Sequence, residues 1–100
     1  MELIKATYED VLDIAKLLFG ERMLEDGKQH QIIGFTKEFC LPLVLTFNKE
    51  KYMHNIFCSG NFKFIQETVI EYYIKKGIYT AVNTESYREG ICLTFFKFNQ

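Results

Sequence analysis

The sequence predicts a single α+β domain: two amphipathic helices with a mixed, mostly antiparallel sheet, in the order β-α-β-β-β-α-β-β. Three observations lead there. Apolar residues recur at helical spacing in two windows, Tyr8–Phe19 and about Phe62–Lys76, and alternate with period two in the other apolar segments. Strand segments both follow one another directly and flank the helices, which is the arrangement of α+β chains. A length of 100 residues has room for one core, and with 48% apolar residues, ten of them Phe, that core can be dense.

Glu2–Ala6 reads as a short edge strand, with Leu3 and Lys5 facing away from Ile4. Thr7 is the N-cap of the first helix and Asp10 stands at its N3 position, a capping box with a shorter acid. Val11, Ile14, Ala15 and Leu18 form the apolar stripe, Leu12 and Phe19 widen it, and Gly20 supplies the stop. Glu21–His30 is polar and charged and reads as a loop or an irregular turn. Gln31–Thr36, Leu41–Phe47 and Tyr52–Cys58 are strands, the last two closed into a hairpin by "NKEK" at Asn48–Lys51. Leu43, Leu45 and Phe47 share one face, Val44 and Thr46 the other. Ser59–Asn61 opens the second helix. There Phe62, Ile65, Val69 and Tyr73 fall on one side, Glu71 and Lys75 pair at i,i+4, and Lys75-Lys76-Gly77 closes the C-terminus. Ile78–Asn83 and Ile91–Phe98 are strands joined across "TESYREG". In the last strand Ile91, Leu93 and Phe95 point one way and Thr94, Phe96 and Phe98 the other, so both of its faces read as covered. Two helices cannot cover both faces of such a sheet, and a homodimer is expected.

Acids and bases interleave to a net charge of −1. That provides neither the basic patch that grips a phosphate backbone nor the acidic field of a nucleic-acid mimic, so no nucleic acid is expected as a partner. No apolar run reaches the length of a membrane span, and the N-terminus lacks a basic-then-apolar leader, so no membrane is expected. Cys40, Cys58 and Cys92 are odd in number and show no C-x-x-C spacing; they read as reduced, mostly buried thiols of a cytoplasmic protein. Ten Lys against two Arg points to a low-GC bacterial or phage source.

His54 and Cys58 would meet only on a helix; four residues apart on a strand, their Cα atoms stand roughly 13 Å from each other. Two His and three scattered Cys offer no metal set. Glu21, Arg22, Glu25 and Asp26 read as a solvated charge cluster. Tyr72-Tyr73 and Phe95-Phe96-Phe98 lack interleaved basic residues, so they read as core or dimer interface and not as base-stacking platforms.

"IKATYEDVLDIAKLL", the second helix running into "KKGIYTAVN", and the following "VNTESYREG" resemble the GNAT superfamily of acyl-CoA-dependent N-acetyltransferases. In such a fold one strand splays from its neighbour and exposes backbone groups to the pantetheine. The turn that follows enters a helix whose free N–H groups hold the pyrophosphate. The resemblance implies acetyl-CoA as cofactor, lying along Ile56, Phe57, Cys58, Ser59, Gly60 and Asn61. It also implies Tyr87 as the general acid that returns a proton to the CoA thiolate, Asn83 as a substrate-orienting residue, and a water-mediated base. The family's loop runs Gln or Arg, two residues, Gly, one residue, then Gly or Ala; this turn has one Gly and neither Gln nor Arg. Read plainly, Ser59 and Asn61 cap a helix, Tyr87 is an exposed turn tyrosine and Asn83 starts a turn. The expected function is a small GNAT-like acetyltransferase or an inactive relative. The alternative is a non-enzymatic α+β protein that acts through protein–protein contact and dimerisation.

Overall fold

The computed structural model describes residues 2–28, 30–47 and 52–99. They run β1 (Leu3–Ile4), α1 (Tyr8–Phe19), β2 (Met23–Asp26), β3 (Gln31–Phe35), β4 (Pro42–Phe47), β5 (Met53–Cys58), α2 (Phe62–Lys75), β6 (Tyr79–Ser86) and β7 (Ile91–Phe98). The α+β class stands, with one strand more than the sequence pattern predicts. β2 falls inside the stretch read as a loop and pairs antiparallel with β3. Its charges hide it: of its two positions facing the helices, Met23 packs against the core, but the other is Glu25, whose carboxylate accepts a hydrogen bond from Tyr8 Oη at 3.0 Å. The "NKEK" segment lies outside the described residues, but the strands it was expected to join are paired from Leu43↔Cys58 to Phe47↔His54.

Every ladder is antiparallel, so the sheet is not mixed. Across it the strands lie β2-β3-β4-β5-β7-β6. β1 continues the line of β5, because Phe98 pairs with Leu3 along one edge and with Tyr79 along the other. β1 pairs with β7 alone, so its other side is unpaired, as expected of an edge strand.

Both helices pack on one face. Thr7 caps α1 as its pattern predicts: it is extended (φ −119, ψ 149) and its Oγ1 accepts the Asp10 N–H at 3.2 Å. The stripe Val11, Ile14, Ala15 and Leu18 is buried, and so are Ile65, Val69 and Tyr73 of α2. They meet the in-register rows Ile32–Leu45–Ile56–Leu93 and Phe47–His54–Phe95 of the sheet. The i,i+4 pair forms, with Glu71 and Lys75 3.4 Å apart, and Gly77 ends α2 at φ 74. At the other end of α2, Asn61 is left-handed (φ 51, ψ 35) and its side chain makes no capping hydrogen bond, contrary to the plain capping reading.

Gly34 is the tightest point of this face. A Cβ there would strike the Arg22 carbonyl oxygen and stand 3.0 Å from Phe19 Cγ, where the end of α1 passes over the β2–β3 pair. Gly34→Ala is expected to cost about 1–3 kcal/mol through overpacking, read as a lower urea midpoint at unchanged slope. An unchanged midpoint would show that α1 is not seated on this glycine.

Candidate functional site

The residues singled out by the GNAT resemblance gather at one end of the sheet. Gly90, in the β6–β7 turn, lies so close to β5 that a Cβ would strike the Cys58 carbonyl and stand 3.0 Å from Phe57 Cζ. This brings the Tyr87 ring to 6.5 Å from the Phe57 ring. Tyr87 Oη donates to Glu85 at 2.5 Å and Asn83 Nδ2 donates to the same carboxylate at 3.3 Å. The Glu85 hydrogen bond pushes the exposed Tyr87 hydroxyl up from its ordinary value. Glu85 is the hub that sequence reading missed; residues 83, 85 and 87 alternate in a strand-like segment and so share a face.

Ile56, Phe57 and Cys58 lie in a central strand whose backbone is engaged on both sides, with Leu45, Val44 and Leu43 on one and Leu93, Cys92 and Ile91 on the other. β7 separates β5 from β6, so no strand splays here. Ser59 is exposed, and the space around Gly60 is open. Burial pushes the Cys58 thiol up, and its Sγ sits 3.7 Å from the Ile91 carbonyl. Of the three cysteines, all free, only Cys58 is fully buried; Cys40 is exposed and Cys92 half-buried, so the expectation of mostly buried thiols holds for one.

A second cluster lies between the helices and the sheet. The Asp10 carboxylate does not reach back to close a capping box; it turns inward and pairs with Lys97 of β7 and, at 3.1 Å, with Lys76. Tyr72 Oη shares its single proton between Asp10 at 3.1 Å and Asp13 at 3.2 Å. Burial alone would raise the Asp10 carboxyl, but hydrogen bonds from Lys97 and Lys76 and their charge hold it below its usual range. Burial pushes the Tyr72 hydroxyl to about 12, so it stays a donor at neutral pH. Deeper still, His54 Nε2 lies 2.7 Å from Tyr73 Oη while its Nδ1 has no partner, and its ring stacks on Phe95. Beside this cluster a cavity of about 600 Å³ opens between α1 and α2, lined by Lys16, Leu17, Thr68 and Tyr72 among others. The charges of the cluster are committed to one another, which makes it a clamp between α1, α2 and β7. Among the described residues no group of side chains is able to hold a metal ion, and no helix is long and apolar enough to cross a membrane.

The third feature is the face of the sheet turned away from the helices, which no described element covers. The outer side of β7, where Cys92, Thr94, Phe96 and Phe98 are half-buried, is the side for which the sequence pattern calls for a partner subunit. Its in-register rows run across all six strand positions. One is apolar until its end: Leu24, Ile33, Val44, Phe57, Cys92, Glu85. The next is polar throughout: Asp26, Gln31, Thr46, Asn55, Thr94, Asn83. Beyond it Met53, Phe96 and Ala81, then Leu3, Phe98 and Tyr79, are apolar again. Leu24 is 70% exposed, Tyr79 52%, Phe35 48% and Ile33 43%. No lysine or arginine stands in these rows. Against this geometry, no protein-family model, no curated protein and no solved structure matches the chain.

Proposed function

We propose that this chain is a non-catalytic binding module that acts by burying the open face of its sheet against another protein surface. The observation that carries the reading is the apolar surface of that face, on which five large side chains, Leu3, Leu24, Ile33, Phe35 and Tyr79, are more than 40% exposed. Contiguous apolar surface of this extent marks an interaction site. Acyl transfer finds less support. A pantetheine arm needs a free backbone edge, and both edges at Ile56–Cys58 are engaged by β4 and β7. The Tyr87 hydroxyl, meanwhile, is bound to Glu85.

An apolar fluorescent dye and acetyl-CoA, offered separately to dilute protein, distinguish the two. The native protein is expected to bind the dye. A variant carrying Leu24→Glu and Ile33→Lys, opposite charges placed side by side on exposed positions, is expected to lose most of that signal while still unfolding cooperatively. Millimolar acetyl-CoA is expected to leave the thermal midpoint unchanged. A ligand at a hundred times its Kd adds about 2.7 kcal/mol and several degrees. A rise of that size, kept in the doubly substituted protein, would overturn the module in favour of acyl transfer.

A further inference from the structure

Resting on that reading, we infer that the surface covering the open face is a second copy of this chain, stacked face to face about a two-fold axis running parallel to the strands between β4 and β5. The argument starts from the order of the polar row. Its six members sit on β2, β3, β4, β5, β7 and β6, so the middle of the row falls between Thr46 and Asn55. An axis at that midpoint lays the row on itself in reverse. Thr46 then faces Asn55 of the second copy, Gln31 faces Thr94, and Asp26 faces Asn83. Each facing pair combines a donor with an acceptor, and no like charges meet. In the apolar row Val44 faces Phe57 and Ile33 faces Cys92, while at the rim Leu24 faces Glu85.

An axis running across the strands would instead set Asp26 over its own symmetry mate, two carboxylates in a desolvated interface. The two-fold parallel to the strands is therefore the one the side chains permit, within the roughly 30° rotation of aligned sheet packing.

The size agrees as well. Six strands about 4.8 Å apart and about six residues at roughly 3.4 Å each span on the order of 600 Å² per copy. Two copies then bury about 1,200 Å², the lower end of specific, stable interfaces.

Two measurements on the full chain test this. Sedimentation across submicromolar to submillimolar concentration should show monomer passing to dimer. Thr46→Val, which removes the donor, should raise the dissociation constant about tenfold. Leu24→Lys, which sets an ammonium over Glu85 of the second copy, should lower it in a salt-sensitive way. Register is read by cross-linking: Ile33→Cys, with Cys40→Ser to silence the exposed thiol, should give a covalent dimer with a short bifunctional thiol reagent. Adding Cys92→Ser should abolish it. Cross-linking that survives without Cys92 overturns the proposed axis. A chain that stays monomeric at all concentrations yet binds the apolar dye overturns the second copy as occupant and leaves the binding-module reading standing. A monomer that binds no dye overturns both.

Discussion

Asp10→Ala is expected to be the most damaging single substitution in the molecule, costing about 3–5 kcal/mol, the toll of breaking a buried ion pair from one side. Asp10 and Lys97 are 4% and 7% exposed, on α1 and on the strand at the centre of the β5–β7–β6 group. Without the carboxylate, Lys97 remains under the helices with its ammonium facing the Tyr73 ring 5.8 Å away. The other two donors lose less, since Tyr72 keeps Asp13 and Lys76 reaches solvent. For a domain of this size each kcal/mol moves the thermal midpoint by about 4–8 °C, so a fall of roughly 12 °C or more is expected by calorimetry. The pair itself need not stabilise the fold, because a well-packed apolar replacement of a buried ion pair is often neutral or better. Adding Lys97→Met to Asp10→Ala should therefore recover most of the loss. A midpoint within 3–4 °C of the parent for Asp10→Ala alone, or no recovery in the double variant, would show that Lys97 finds another way to water.

Those two residues also show how far the sequence could be read. The helices and six of the seven strands were legible because their apolar residues recur with clean periods: Val11, Ile14, Ala15, Leu18 on α1, and Leu43, Leu45, Phe47 on β4. β2 was not, since "MLED" carries two acids and one of its two inward positions, Glu25, is satisfied by a hydrogen bond from Tyr8. Asp10 was assigned to a cap because N3 acids ordinarily are. The sign that it does something else was present in the pattern: Lys97 continues the buried phase Leu93, Phe95, and Asp10 lies beside the apolar stripe of α1. Two opposite charges in the core phase of two elements point at each other. The open face was legible only in part. Alternation showed that Phe96 and Phe98 oppose Leu93 and Phe95, but which side the helices take depends on pairings between residues far apart in the chain. The polar row exists only once six strands are set in register.

Acid should destabilise this fold well before the carboxylates titrate, and His54 is the reason. Burial, chiefly, lowers its pKa to about 4. A protonated imidazole would need partners on both nitrogens, and Nδ1 has none. The nearby Lys97 charge works against protonation too, while that of Asp10 favours it without reversing the balance. In the unfolded chain the same side chain titrates near 6.5. Between these values the unfolded chain holds a proton that the folded chain refuses, so stability is full above about pH 6.5 and declines as pH falls toward 4. A shift of that span corresponds to about 3 kcal/mol at the acid end. Below it Asp10 takes over with the same sign, its folded carboxyl lying below the ordinary value, so that protonation again favours the unfolded chain. Urea unfolding at pH 7 and at pH 4 measures the first step. His54→Gln, which can still offer Tyr73 a hydrogen-bonding partner but does not titrate, should lower stability at neutral pH and flatten its dependence between the two. If the variant and the parent lose stability in parallel over that interval, the buried imidazole is not the group that makes the fold acid-sensitive.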